Sequence, residues 1–235
     1  MTPLTVGVIG GMGPAATVHF MARVLALTPA KREQDHLRLL VDCNPRVPDR
    51  NDALRDGGPS PESVLAAMAR GLECAGAELL VMPCNTAHAF AGAITAATSL
   101  PFINLIEAAS DAAVAARPGA VGVLAADGCL EAGLYQEAFA RRGAPLIACE
   151  PDAQRRFMEL LYQIKSGDTG DGVRAAMRAL AEGLIARGAE VVVAGCTEVP
   201  LALGYGDIAV PLIDSIDVLA LRTIAQALRP RAEAG

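Results

Sequence analysis

Tryptophan is absent from the 235 residues, and aromatic residues together make up only 3%. Any core must therefore be built mainly from Ala, Val, Leu and Ile. Hydrophobic residues reach 52%, enough for such a core and too much for a disordered chain. Positive charge is in short supply as well. Twenty Lys and Arg stand against 26 Asp and Glu, the formal net charge is -6, and the pI is about 5.1. That balance speaks against nucleic acid and anionic membrane surfaces as partners and leaves room for a local basic pocket. No apolar run approaches the roughly 18 residues that would span a bilayer. The six cysteines, at 43, 74, 84, 129, 149 and 196, form no CxxC pair. Neither a zinc site nor a disulfide framework is expected. The opening ten residues lack a basic n-region and read directly as a strand, so no secretory signal is expected. Reduced thiols in a cytoplasmic protein fit best. No GK[ST] occurs, so no P-loop is supported.

What is there is alternation. Short, mostly continuous Val/Leu/Ile-rich runs at 4–9, 37–43, 78–82, 120–124, 191–194 and 208–212 read as strands. Continuous runs of that kind are buried parallel strands. Helices are expected over 14–28, 60–75, 87–98, 130–142, 152–165, 172–187 and 215–229. Pro14 and Pro61 suit first-turn positions, and Ser60 suits an N-cap. Strands alternating with helices imply α/β architecture, with mainly parallel sheets flanked by helices.

A weak internal repeat runs through the chain. Val6-Gly7-Val8-Ile9 resembles Val121-Gly122-Val123-Leu124, and Leu79-Leu80-Val81-Met82-Pro83-Cys84 resembles Val191-Val192-Val193-Ala194-Gly195-Cys196. The two glycines stand 115 residues apart and the two cysteines 112 apart. One reading is that all α/β strands look alike. The other is two pseudo-symmetric domains, residues 1–105 and 106–214, each presenting a cysteine toward a shared cleft. The last helix, 215–235, is expected to return to the first domain. Carboxyl ends of parallel strands are where α/β proteins place ligands.

Cys84 and Cys196 both stand where a strand gives way to a helix, a setting that favours thiolate. Each is followed by short polar residues: Asn85-Thr86 in one case, Thr197-Glu198 in the other. A single cysteine is usually a small buried hydrophobe. Two at matched strand ends fit that reading poorly, whereas it suffices for Cys43, Cys74, Cys129 and Cys149. Glu198 stands two residues after Cys196 and is placed to tune its thiol. His88 stands four residues after Cys84. A histidine or glutamate in such a position is more often structural.

The segments PCNTAH (83–88), GCTE (195–198), GGMGP (10–14) and Pro48-Asp49-Arg50 together resemble the aspartate/glutamate racemase family, its aspartate racemase-like branch in particular. The resemblance runs through nearly the whole chain. It implies a cofactor-independent racemase without pyridoxal phosphate or metal, acting on an amino acid in a cleft between the domains, and often a homodimer. One thiolate would take the Cα proton on one face and one thiol would deliver another on the opposite face. The carbanion needs donors where charge grows; Asn85, Thr86 and Thr197 are the candidates. Positions matching Arg50 and Lys165 hold the substrate carboxylates in the family, and guanidinium suits bidentate carboxylate binding. Arg50 is expected in a loop and Lys165 at a helix end. Only two lysines occur, Lys31 and Lys165, so a lysine here is not compositional background. Met12 of GGMGP and Glu198 complete the expected substrate-binding set. The chain departs from the family where Ala126 and Cys129 replace threonines.

Two other classes compete. Gly11-Met12-Gly13-Pro14-Ala15-Ala16 matches G-x-G-x-x-A, and Asp42 ends the next strand, as in a weak dinucleotide fingerprint. A non-catalytic dicarboxylate-binding protein would need no pair of thiols. Hydantoin racemases and maleate isomerases also use paired cysteines and are the closer alternative.

Overall fold

The computed structural model describes residues 3–229. Two four-stranded sheets, every pairing parallel, make up the frame. The first has the order β2-β1-β3-β4, from β1 (Val6–Gly10), β2 (Leu39–Cys43), β3 (Leu79–Val81) and β4 (Phe102–Ile103). The second repeats it as β6-β5-β7-β8, from β5 (Val121–Leu124), β6 (Leu146–Ala148), β7 (Val191–Ala194) and β8 (Leu212–Asp214). The helices of the first half are α1 (Pro14–Leu27), α2 (Arg50–Arg55), α3 (Glu62–Cys74) and α4 (Ala91–Ala97). They are followed by α5 (Leu105–Val114), α6 (Asp127–Glu131), α7 (Leu134–Arg141), α8 (Pro151–Lys165), α9 (Asp171–Ala186) and α10 (Ser215–Ala227).

Each sheet is covered on both faces, which is why its two central strands are apolar throughout. Val6, Val8, Leu79 and Val81 face Phe20 and Val24 of α1 and Ile216, Leu219 and Ile224 of α10. Ile9, Leu80 and Met82 face α3 and Ile94 of α4. In the second sheet, Leu124, Val192 and Ala194 pack against α8 and α9, and Val121, Val123, Val191 and Val193 against α5 and α7. Of the stretch 215–235, residues 215–227 form α10 against the first sheet, while 230–235 lie outside the described residues.

The repeated Val-Gly-Val has a packing reason. A Cβ on Gly7 would lie 2.7 Å from Leu80 and 3.2 Å from Leu72 of α3. A Cβ on Gly122 would lie 3.0 Å from Ala189 and 3.1 Å from Leu184 of α9. In both halves the crossing helix and the residues beside it pack so close to the first strand that a side chain there would force them to shift.

Several elements differ from the sequence-based expectations. The 130–142 helix is two helices, α6 and α7, separated by Gly133 at φ 68°. The expected strand at 208–212 begins only at Leu212. Pro211 has no N–H for the ladder, although its carbonyl accepts from Val192 N at 3.0 Å. Residues 87–98 start as a 3-10 turn, Thr86–Phe90, before α4. α3 begins at Glu62, whose N–H is held by Ser60 Oγ at 3.2 Å. β4, β6, α5 and the short α2 were not expected.

Candidate active site

In this strand order, β1/β3 and β5/β7 are the points where connections leave toward opposite sides of the sheet, and a crevice opens beyond their carboxyl ends. Met12 follows β1, Cys84 follows β3, Ala126 follows β5 and Cys196 follows β7. The two crevices face each other. Cys84, Asn85 and Thr86 line one small cavity together with Cys196, Thr197 and Glu198. Met12, Arg50, Asn51, Ala126 and Lys165 complete its walls. Every residue expected at the site from the sequence is thus brought together. Asn51 is an addition. Arg50, Lys165 and Glu198 also border an outer hollow with Gly11, Gly13, Asp49 and Tyr162, the cavity's mouth.

Arg50 is not in a loop, as expected, but is the first residue of α2. Asp49 caps this helix, accepting from Asn51 N at 2.7 Å and Asp52 N at 3.2 Å. One aspartate is a weak start signal, and a six-residue helix leaves too short a pattern to detect. The guanidinium is buried. Its Nη1 donates to the carbonyls of Val47 (3.3 Å) and Pro48 (3.0 Å), while its Nε has no partner. Such a buried donor fits an anionic ligand. Lys165 ends α8, with its ammonium 5.4 Å from the Tyr162 ring centre. Desolvation works against its charge, but Glu198 and the two cysteines outweigh it and hold the amine above its ordinary pKa.

The thiols are both buried. At Cys196 the expectation of a favoured thiolate meets opposition. Burial first, then the charge of Glu198, push its pKa well above the ordinary value, with Lys165 pulling the other way. Cys196 Sγ donates to Glu198 Oε2 at 3.1 Å, and Thr197 Oγ1 donates to the same oxygen at 3.2 Å.

Asn85 is already engaged on both sides. Tyr135 OH donates to its Oδ1 at 2.7 Å, and its Nδ2 donates to Ser215 Oγ at 3.2 Å. One N–H of the amide is left for a ligand. Tyr135, wholly buried on α7, carried no sequence signal, since a lone tyrosine in an amphipathic helix reads as core. Its ring also lies against the other cysteine loop, because a Cβ on Gly195 would stand 2.9 Å from Tyr135 Cε2. His88 is structural. Its Nδ1 meets the Cys84 carbonyl at 2.7 Å and its Nε2 accepts from Leu105 N at 3.0 Å. Burial lowers its pKa to about 4, so it is neutral. Cys129 packs in the core of the second half rather than on the cavity wall, its thiol pushed up by burial and by Cys84.

The glycine-rich turn is used for packing. Gly11, at φ 95°, lets the backbone of Asn44 pass where its Cβ would come within 2.4 Å. Among the described residues no three His, Cys, Asp or Glu side chains cluster as metal ligands, and no helix is long and apolar enough to cross a membrane.

A sequence profile of Asp/Glu/Hydantoin racemases matches residues 9–223. The chain belongs to that racemase family. It is therefore an isomerase, and the two-domain α/β frame is the family's. The broad specificity amino-acid racemase RacX of Bacillus subtilis is 25% identical over 224 residues, covering 94% of this chain and 96% of that protein. The glutamate racemase of a Roseiflexus species is 32% identical over 152 residues, 62% of this chain and 54% of that one. Among solved structures, Picrophilus torridus aspartate racemase superposes with a TM-score of 0.87 at 26% identity, covering 95% of this chain and 94% of its own.

Proposed function

We propose that this racemase inverts Cα of an amino acid, aspartate or glutamate, with Cys84 and Cys196 as the two proton carriers and no cofactor. The observation that carries this reading is the cavity itself, with a thiol from each half and two cations on its walls. The similarity to an amino-acid racemase and to an aspartate racemase supports the substrate class. One thiolate takes the Cα proton and the opposite thiol returns another, a general acid–base contribution of about 10²–10⁴-fold for each positioned group. Arg50 Nε and Lys165 hold the distal carboxylate. The free N–H of Asn85, Thr86 Oγ1 and backbone amides hold the α-carboxylate as the carbanion delocalises into it. Exclusion of water strengthens each of these contacts.

Proton exchange in D2O tests the reading. The wild type should exchange the α-proton of both enantiomers. Cys84→Ser and Cys196→Ser should each abolish racemisation, because a hydroxyl is a far poorer base than a thiol at neutral pH. Of the two, Cys84→Ser, which keeps Cys196, should still exchange the L-form alone, and Cys196→Ser the D-form alone. Full racemisation by either variant would rule out the two-thiol chemistry.

A further inference from the structure

Glu198 is a carboxylate in a cavity whose other charged walls attract anions. Its bond to the Cys196 thiol occupies only one of its two oxygens. It is only 3% exposed, and its Oε2 is occupied by Cys196 Sγ and Thr197 Oγ1. Its Oε1 is buried with no hydrogen-bond partner at all. That oxygen is directed toward Gly13, where a Cβ would stand 3.4 Å from it, and Gly13 and Glu198 border the mouth together with Arg50 and Lys165. A buried carboxylate oxygen without a donor is unfavourable unless a ligand brings one.

We infer that Glu198 Oε1 is the acceptor for the substrate's α-ammonium group. The inference rests on the amino-acid racemase reading and deepens it. A dicarboxylic amino acid brings two carboxylates and one ammonium; the walls bring two cations and one carboxylate. An ammonium is compact and carries three donors, so it can satisfy Oε1 and still reach a second acceptor. A ligand without the amino group would leave Oε1 orphaned and facing another anion. This makes Glu198 the residue that selects amino acids over plain diacids, hydroxy acids and hydantoins. The arrangement also links recognition to chemistry. The same carboxylate, with burial, holds the proton on Cys196. A seated ammonium offsets that charge, so the obstacle to a thiolate is lifted when an amino acid is present.

The test is calorimetric binding in a Cys84→Ser/Cys196→Ser background, which does not turn over. The ligand pairs are L-aspartate with succinate, and L-glutamate with glutarate; within a pair only the amino group differs. The parent should prefer the amino acid. Adding Glu198→Gln should weaken the amino acid roughly tenfold to hundredfold, the loss expected for a charged hydrogen bond, and leave the diacid equal or tighter. Glu198→Asp, which keeps the charge, should retain the preference. It also serves as the test if the Gln variant fails to fold by circular dichroism. Equal weakening of both members of a pair, or a parent that binds the diacid as tightly, would overturn the assignment. If the wild type exchanges an α-proton and this result is still obtained, only the ammonium site falls. If no amino acid binds or exchanges, the proposed function falls and takes the ammonium site with it.

Discussion

Replacing Tyr135 by Phe removes one oxygen atom and leaves the ring. The hydroxyl donates to Asn85 Oδ1 at 2.7 Å, with both residues buried. Burial, then Cys129 and Cys196, raise its pKa well above the ordinary value, so it remains a neutral donor. Because Phe keeps the packing against Gly195, the change isolates the hydrogen bond. Asn85 Oδ1 becomes a buried acceptor without a donor, which costs about 1–3 kcal/mol. For a chain of this size each kcal/mol moves Tm by about 2–4 °C. Urea titration should therefore give a lower midpoint at unchanged slope. Kinetics should show KM rising, because a loosened Asn85 amide weakens binding of the α-carboxylate, and kcat falling as well, because charge grows on that carboxylate in the transition state. A double-mutant cycle with Asn85→Ala should return a coupling of about 0.5–3 kcal/mol. Stability within about 0.5 kcal/mol of wild type, the range of surface changes, would refute the reasoning. So would lost stability with an unmoved KM, since Asn85 would then be structural only.

Arg50→Lys keeps the charge but loses the guanidinium fork and the unpartnered Nε. KM for an acidic substrate should rise roughly tenfold to hundredfold, the equivalent of about 1.5–3 kcal/mol, and an unchanged KM would remove Arg50 from the site. His88 has a folded pKa of about 4 against an ordinary 6.5, because burial disfavours its charge. The unfolded chain binds that proton first, so stability is full above pH 6.5 and falls as pH drops toward 4. Urea midpoints measured across that window should decline in the wild type and decline less in His88→Gln.

Much of the frame was legible because buried parallel strands and long amphipathic helices carry strong patterns. β1, β5, β7, α1, α8 and α9 fall within a few residues of their expected places. What escaped was short or locally determined. β4 has two residues and β6 three, too few to establish a period, and α2 depends on one aspartate cap. The cavity-lining set was legible by resemblance to the family, since the cysteine motifs mark strand ends. Tyr135 and Asn51 were not. Each acts through one partner from the other half, Asn85 for Tyr135 and Gly128 N, at 3.0 Å, for Asn51. No local sequence pattern encodes such a pairing.

The two sheets share one strand order and each ends in a cysteine loop, but the loops are not equivalent. Two residues beyond Cys196 stands a carboxylate, Glu198; two residues beyond Cys84 stands a hydroxyl, Thr86. Enantiomers have equal free energy in an achiral solvent. For a two-thiol racemase, kcat/KM must therefore be the same in both directions, however lopsided the walls. The free form of such an enzyme, in contrast, exists in two proton isomers, and nothing makes them equally populated. Glu198 weights the balance toward the isomer that keeps its proton on Cys196. The asymmetry can then appear only in kcat and KM taken separately, which must differ between the enantiomers by one common factor. At saturating substrate, the return of one proton isomer to the other becomes a step of the cycle in its own right.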